Sequence, residues 1–269
     1  MRALQEWQAQ IAACREARLE SDDEAWERAA EWFDDWVRHN DYVEQVLPRL
    51  LEVLNPAARV VDIGAGSGAF TLPLAQAVAE VVAVEPSAPM RAVLRRNPAR
   101  AGVDNVDVVP QQIEDAVETL AGPFDLAFAS YSLYDVEAID VVMRRLVDLA
   151  THVVALMGSG EPREWERALH RRFVGQEPVT PPQVQYFHPL LMEMGIYADV
   201  QVFWTSYNYV YDSEEALVQE WRRRLHLPES EGPALRKALL PLTEQREGQV
   251  GIYQRSRAAL VWIERGRNV

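Results

Sequence analysis

Arg59-Val60-Val61-Asp62-Ile63-Gly64-Ala65-Gly66-Ser67-Gly68 decides how this chain is read. A short apolar run ends in a carboxylate, passes through three alternating glycines and enters a segment whose apolar residues recur at helical spacing. That order is strand, tight turn, helix start. Glycine reaches positive φ without penalty and lets a ligand approach the backbone closely. Asp62, two positions before the first glycine, selects the ligand's charge. A diphosphate at ~4 Å from that carboxylate would meet a repulsion of about 1–4 kcal/mol, depending on screening, and a cation would be attracted. S-adenosylmethionine carries a sulfonium and an ammonium and no phosphate. A Walker phosphate loop is excluded, because no Gly-Lys-Ser/Thr follows and the only lysine is Lys237.

Outward from this stretch, short apolar strands alternate with helices. The spacing predicts strands over Arg59–Ile63, Val81–Val84, Val106–Val109, Asp125–Ala129 and His152–Met157. Helices are predicted over Phe70–Val78, Ala88–Asn97 and Val136–Leu149. Continuously apolar strands joined by helices indicate a parallel sheet covered on both faces. Upstream, residues 3–19 and 23–54 read as helical, with Asp22 or Asp23 as a cap and Trp26, Ala29, Ala30, Phe33 and Val37 at helical spacing. Downstream, helices are expected at Glu161–Phe173, Val184–Met194, Glu214–Leu225 and Gly232–Arg246, and long strands at Val200–Tyr211 and Tyr253–Ile263. The chain divides into a helical lead-in or lid over 1–55 and an α/β domain over 56–269, with helical additions at 158–198 and 212–250.

Composition sets the bounds. The 269 residues, 48% of them hydrophobic, suffice for one large α/β domain with additions. No apolar run reaches the ~20 residues of a membrane span, and MRALQEWQAQ has no signal-peptide core. One cysteine, Cys14, excludes an internal disulfide framework and a Cys-based metal site, and the five histidines are scattered. A cytoplasmic protein without membrane partner or bound metal is expected. The formal charge of −14 argues against nucleic acid as a partner, since phosphate binding wants a basic face.

Three further segments carry chemistry. Val81-Val82-Ala83-Val84-Glu85-Pro86 ends a strand with a carboxylate that can accept both hydroxyls of a ribose. Met90, one turn into the next helix, can pack on an adenine. Phe124–Val136 delivers Ser130 and Tyr131 from a strand tip. Together Asp62, Gly64, Gly66 and Gly68 resemble the first motif of the class I S-adenosylmethionine-dependent methyltransferases. Val106–Asp115 is similar to the third motif, with Gln112 where aspartate usually reads the adenine amine, so that reading falls to Gln112 or Glu114. Phe124–Val136 resembles the fourth motif of the small-molecule enzymes and lacks the Asn/Asp-Pro-Pro-Tyr of enzymes that methylate base amines.

The resemblance implies a doubly wound, mostly parallel seven-stranded sheet whose last strand runs antiparallel. It implies S-adenosyl-L-methionine as cofactor, held by Asp62, Gly64, Ala65, Gly66, Gly68, Glu85, Pro86, Met90, Gln112, Ile113, Ser130 and Tyr131. The acceptor would be a small molecule, in a pocket walled by residues 26–42, Tyr131–Tyr134 and the stretch Gly158–Pro182. No catalytic base is named by the sequence. Gly64, Gly66 and Ala69 also fit the Gly-x-Gly-x-x-Ala of NAD(P)-dependent oxidoreductases, and a non-catalytic cofactor-binding subunit would carry the same residues.

Overall fold

The structure, a computed structural model, describes residues 1–17, 30 and 32–266. Asp22, Asp23, Trp26 and Ala29 therefore lie outside the described residues. The chain opens with α1 (Arg2–Ala17), a helical stretch α2 over 32–38, and α3 (Tyr42–Leu51). Five strands alternating with four helices follow, beginning with β1 (Arg59–Ile63), α4 (Thr71–Ala75), β2 (Glu80–Val84), α5 (Ala88–Ala101) and β3 (Val106–Val109). They continue through α6 (Ile113–Thr119), β4 (Phe124–Ser130), α7 (Ile139–Leu149) and β5 (Ala150–Gly158). Next come α8 (Glu164–Phe173), α9 (Val184–Glu193), β6 (Asp199–Ser206), β7 (Tyr209–Tyr211), α10 (Glu214–Arg224) and α11 (Gly232–Leu239). The chain closes with β8 (Glu244–Arg246), β9 (Gln249–Ile252) and β10 (Arg255–Glu264). Among the described residues no helix is long and apolar enough to cross a membrane.

Seven strands form one sheet in the order β3-β2-β1-β4-β5-β10-β6. The first five are mutually parallel and β10 is antiparallel to both β5 and β6. This is the doubly wound sheet with an antiparallel last strand that the family resemblance implies. Alternation along each strand divides the core between two faces. Val61, Ile63, Ala127, Ala129, Val153, Ala155 and Met157 face α1, α6, α7 and α9. Val60, Leu126, Phe128, Val154 and Leu156 face α3, α4 and the C-terminal helices. Strands flanked on both sides must be apolar on both, which is why β1, β2 and β4 read as unbroken runs.

Two elements differ from expectation. The predicted strand Val200–Tyr211 breaks at Tyr207 and Asn208, because Asn208 is drawn to the lead-in. Its N–H donates to Asn40 Oδ1 at 2.7 Å, and its side-chain amide donates to His39 O at 2.8 Å. The predicted helix Gly232–Arg246 stops at Leu239. Glu244–Arg246 instead pairs with β9 across Glu247 and Gly248, both at positive φ, the two-residue turn suited to a hairpin. β7, β9 and β8 form a second, three-stranded sheet. The helix α6 was absent from the sequence reading.

Asp41 fastens the lead-in to the sheet edge, its Oδ1 accepting from Thr205 Oγ1 at 2.7 Å and from Ser206 N at 2.7 Å. These hydrogen bonds outweigh burial and hold its carboxyl below the usual range. Near the sheet centre, Phe128 is fully buried with its ring 4.6 Å from that of Phe70. Phe128→Ala is expected to cost about 3–5 kcal/mol by urea denaturation. A loss below about 1 kcal/mol would mean that this layer is not the packed centre of the domain.

Candidate functional site

The carboxyl ends of β1, β2, β3 and β4 open into one cavity of about 1360 Å³. Ligands in open α/β sheets bind at this edge. The loop after β1 is anchored to its neighbour, since Gly64 N and Ala65 N both donate to Val84 O, at 2.8 and 3.0 Å. Gly64, Gly66 and Gly68 have φ of 74°, 57° and 94°. A Cβ on Gly64 would lie 2.3 Å from Ser132 Cβ, so β1's loop and β4's tip pack backbone to side chain. A Cβ on Gly66 would meet only Phe33, at 3.9 Å, and would otherwise project into open space.

Glu85 closes this loop from β2. Its Oε2 accepts from Gly66 N at 2.7 Å and its Oε1 from Ser87 N at 2.8 Å, so each oxygen retains a second lone pair for a ligand. Burial raises its pKa, and those two backbone hydrogen bonds oppose the rise. Asp62 is 2% exposed and accepts from Thr71 Oγ1 at 2.6 Å. Burial, reinforced by the charge of Glu85, pushes it up to about 7 despite the Thr71 hydrogen bond. A buried carboxylate so placed gains most from a cationic neighbour.

The cavity brings together eleven of the twelve residues expected there. Asp62, Gly64, Ala65 and Gly66 line it from β1 and its loop. Glu85, Pro86 and Met90 come from β2 and α5, Gln112 and Ile113 from the start of α6, and Ser130 and Tyr131 from β4. Glu114 lines it as well, so both candidates for reading an adenine amine are in place. Gly68 is the exception. It turns away from the cavity, where a Cβ would lie 2.7 Å from Leu94 Cδ1, and it serves packing of the loop on α5.

Sequence reasoning missed several walls. Ser67 and Ser87 enter from the loops and Phe70 from the start of α4. Ser67 Oγ is buried with no hydrogen-bond partner among the described residues. Arg15 reaches the cavity from α1, its Nε donating to Asp135 Oδ1 at 2.9 Å while its guanidinium also pairs with Glu137. Trp7 Nε1 donates to Val136 O at 2.8 Å, so α1 is strapped to the segment after β4. Of the expected acceptor walls, Phe33, Tyr42, Tyr131, Tyr134 and Pro181 line the cavity, and Trp26 lies outside the described residues.

Residues 60–152 match a family described as methyltransferase domain. The 23S rRNA (uracil(1939)-C(5))-methyltransferase RlmD of Klebsiella pneumoniae is 41% identical over 86 residues, covering 31% of this chain and 20% of that protein. Its counterpart in Xanthomonas campestris is 52% identical over 50 residues, 19% of this chain and 11% of that protein. The chain thus spans about a fifth or less of the length of these curated relatives. Among solved structures, the YcgJ protein of Bacillus subtilis has a TM-score of 0.54 at 18% identity, covering 82% of this chain and 99% of that one. A putative methyltransferase of Bacillus halodurans gives 0.55 at 13%, covering 82% and 98%. These two likenesses show the fold.

The curated relatives overturn the expectation that a small molecule is the partner and nucleic acid is not, since the proteins that match act on ribosomal RNA. The expectation rested on a charge of −14 summed over the whole chain and on a fourth motif resembling that of the small-molecule enzymes. A whole-chain sum does not report which surface meets an acceptor.

The raised Asp62 gives a testable pH dependence. Between the unfolded carboxyl's value near ~4 and about 7, the folded state holds a proton that the unfolded state releases, so the stability of the free protein falls as pH rises. Asp62→Asn removes that contribution. In urea denaturation, the variant should gain on the wild type from pH 5 to about pH 7 and level off by pH 8. A constant difference over that range would contradict the assignment.

Proposed function

We propose that the chain is a class I enzyme that transfers the methyl group of S-adenosylmethionine to an acceptor bound in the same cavity, a reading supported by the match of residues 60–152 to a methyltransferase domain. The observation that carries the proposal is the convergence of Asp62, the glycine loop and Glu85 on one cavity. Two buried carboxylates at a loop of left-handed glycines suit a cationic nucleoside and oppose a diphosphate, which counts against the nicotinamide reading. The fit extends to Gly66, whose missing side chain leaves the loop open to a close ligand, and to Ser67, whose hydroxyl is buried without a partner among the described residues. The cavity exceeds the ~300–1,000 Å³ of a typical single-ligand site, leaving room for an acceptor beside the cofactor.

In this reading S-adenosylmethionine supplies an electrophilic methyl that the acceptor takes by in-line displacement. Glu85 holds the ribose hydroxyls, Asp62 faces the methionine half directly or through water, and Met90, Ile113 and Gln112 or Glu114 enclose the adenine. Tyr42, Tyr131 and Tyr134 wall the space toward β4, where alignment of the reactants and exclusion of water do most of the work. The helical lead-in and the segment after β5 act as cover, and the enzyme works in the cytoplasm. Methylation at C5 of a uracil, the reaction in the relatives' name, requires a nucleophile to add first at C6, most readily a thiolate. The single cysteine, Cys14, is not among the described cavity-lining residues, which favours an acceptor atom that is already nucleophilic.

Glu85→Ala is expected to weaken binding of S-adenosylhomocysteine by roughly 1.5–3 kcal/mol in calorimetric titration, the scale of hydrogen bonds to a charged group. Gly66→Val should abolish binding, by filling the open side of the loop. Unchanged affinity in a folded Glu85→Ala protein would refute the ribose assignment.

A further inference from the structure

We propose that Tyr42, Tyr131 and Tyr134 form an aromatic seat for the positive charge of the cofactor's sulfonium, so that the substrate cofactor is held in preference to S-adenosylhomocysteine, whose sulfur is uncharged. This rests on the cofactor reading above. The sulfur of S-adenosylmethionine is bonded both to the ribose and to the methionine chain, so it lies between the groups assigned to Glu85 and to Asp62. Glu85 follows β2 and Asp62 lies in β1, and β4 is the next strand beyond β1, its register pairing Ile63 with Ala129, two residues before Tyr131. The side chain of Ser132 presses on the backbone of Gly64, which brings the tip of β4 against the glycine loop.

Three rings meet at that tip and line the cavity. Tyr42 and Tyr131 are edge to face with centroids 5.6 Å apart, and Tyr134 lies 6.3 Å from Tyr131. Rings set at such angles turn their negative faces in different directions, and it is the faces that attract onium groups. Burial raises all three hydroxyls above the ordinary tyrosine value, so the rings meet a ligand as neutral phenols. Phenolates would bind a cation by charge alone, and neutral rings bind it through their faces.

Tyr131 is also held in a costly conformation. Its φ is +53°, a left-handed value that an aromatic residue rarely adopts. Its N–H donates to Leu156 O at 2.8 Å, and Ser132 Oγ donates to Ile63 O, so the strand tip is fixed on both sides. Tyr134 OH accepts from Gly158 N at 3.0 Å, which fixes the second ring against the end of β5. Arg163, whose charge reaches Tyr131 and Tyr134, is paired with Glu166 Oε2 at 2.8 Å and lies over Tyr207.

The test is calorimetric titration of the full chain and its Tyr131 variants with S-adenosylmethionine and S-adenosylhomocysteine in parallel. Tyr131→Leu should weaken S-adenosylmethionine binding by about two- to thirtyfold, the range of a cation–π contact, and leave S-adenosylhomocysteine nearly unchanged. Tyr131→Phe, which keeps the ring, should retain the wild-type ratio of the two affinities. Equal losses for both ligands in Tyr131→Leu, or the same change of ratio in Tyr131→Phe, would overturn the seat while leaving the cofactor reading intact. Failure of the wild type to bind either ligand would overturn the cofactor reading, and the seat with it. Should Tyr131→Leu not fold, Tyr134→Leu carries the same comparison.

Discussion

The hydrogen bond from Gly66 N to Glu85 Oε2 joins the two parts of the molecule on which the site depends. It runs from a backbone amide in a loop only glycine can form to a carboxylate at the end of the neighbouring strand. With Ser87 N on the other oxygen, it turns Glu85 into a fixed acceptor at the mouth of the sheet. The parallel register of β1 and β2 makes this possible, because pairing Ile63 with Val84 sets the loop and the carboxylate side by side. A slip of one residue would send Glu85 to the opposite face and leave the loop's amides without a partner.

Asp62 is the second constraint, and the fold tolerates it at a cost. A carboxylate buried to 2% exposure with one hydroxyl donor is poorly compensated. Burial and the nearby Glu85 therefore push its pKa toward neutrality. The unfavourable field of two carboxylates is what makes the cavity receptive to a positively charged ligand. Instability of the free site and affinity for a cation have the same electrostatic origin.

The central sheet and most of this site were legible in the sequence because both are local. Strands β1 to β5 are short apolar runs closed by helices, and Asp62, the glycines and Glu85 sit at fixed distances from strand ends. What escaped was set by contacts distant along the chain. Asn208 interrupts a run of β-formers because Asn40, 168 residues away, binds its backbone. Arg15 reaches the cavity by pairing with Asp135, 120 residues on, and no local periodicity marks such a pair. The hairpin of β8 and β9 did leave a signal, since Gly248 follows Glu247 between two short strands, but the preceding helical pattern outweighed it. Gly68 was read as a ligand contact from its spacing in the loop, whereas its place is decided by Leu94 on a different helix.

The central claim is that this cavity is built for a cationic nucleoside and not for a dinucleotide. It is tested most directly by calorimetric titration of the full chain at pH 8, where Asp62 is ionised, with S-adenosylhomocysteine and separately with NADH. The expected result is saturable one-to-one binding of S-adenosylhomocysteine and no heat of binding from NADH. Saturable binding of NADH with no response to S-adenosylhomocysteine would contradict the claim.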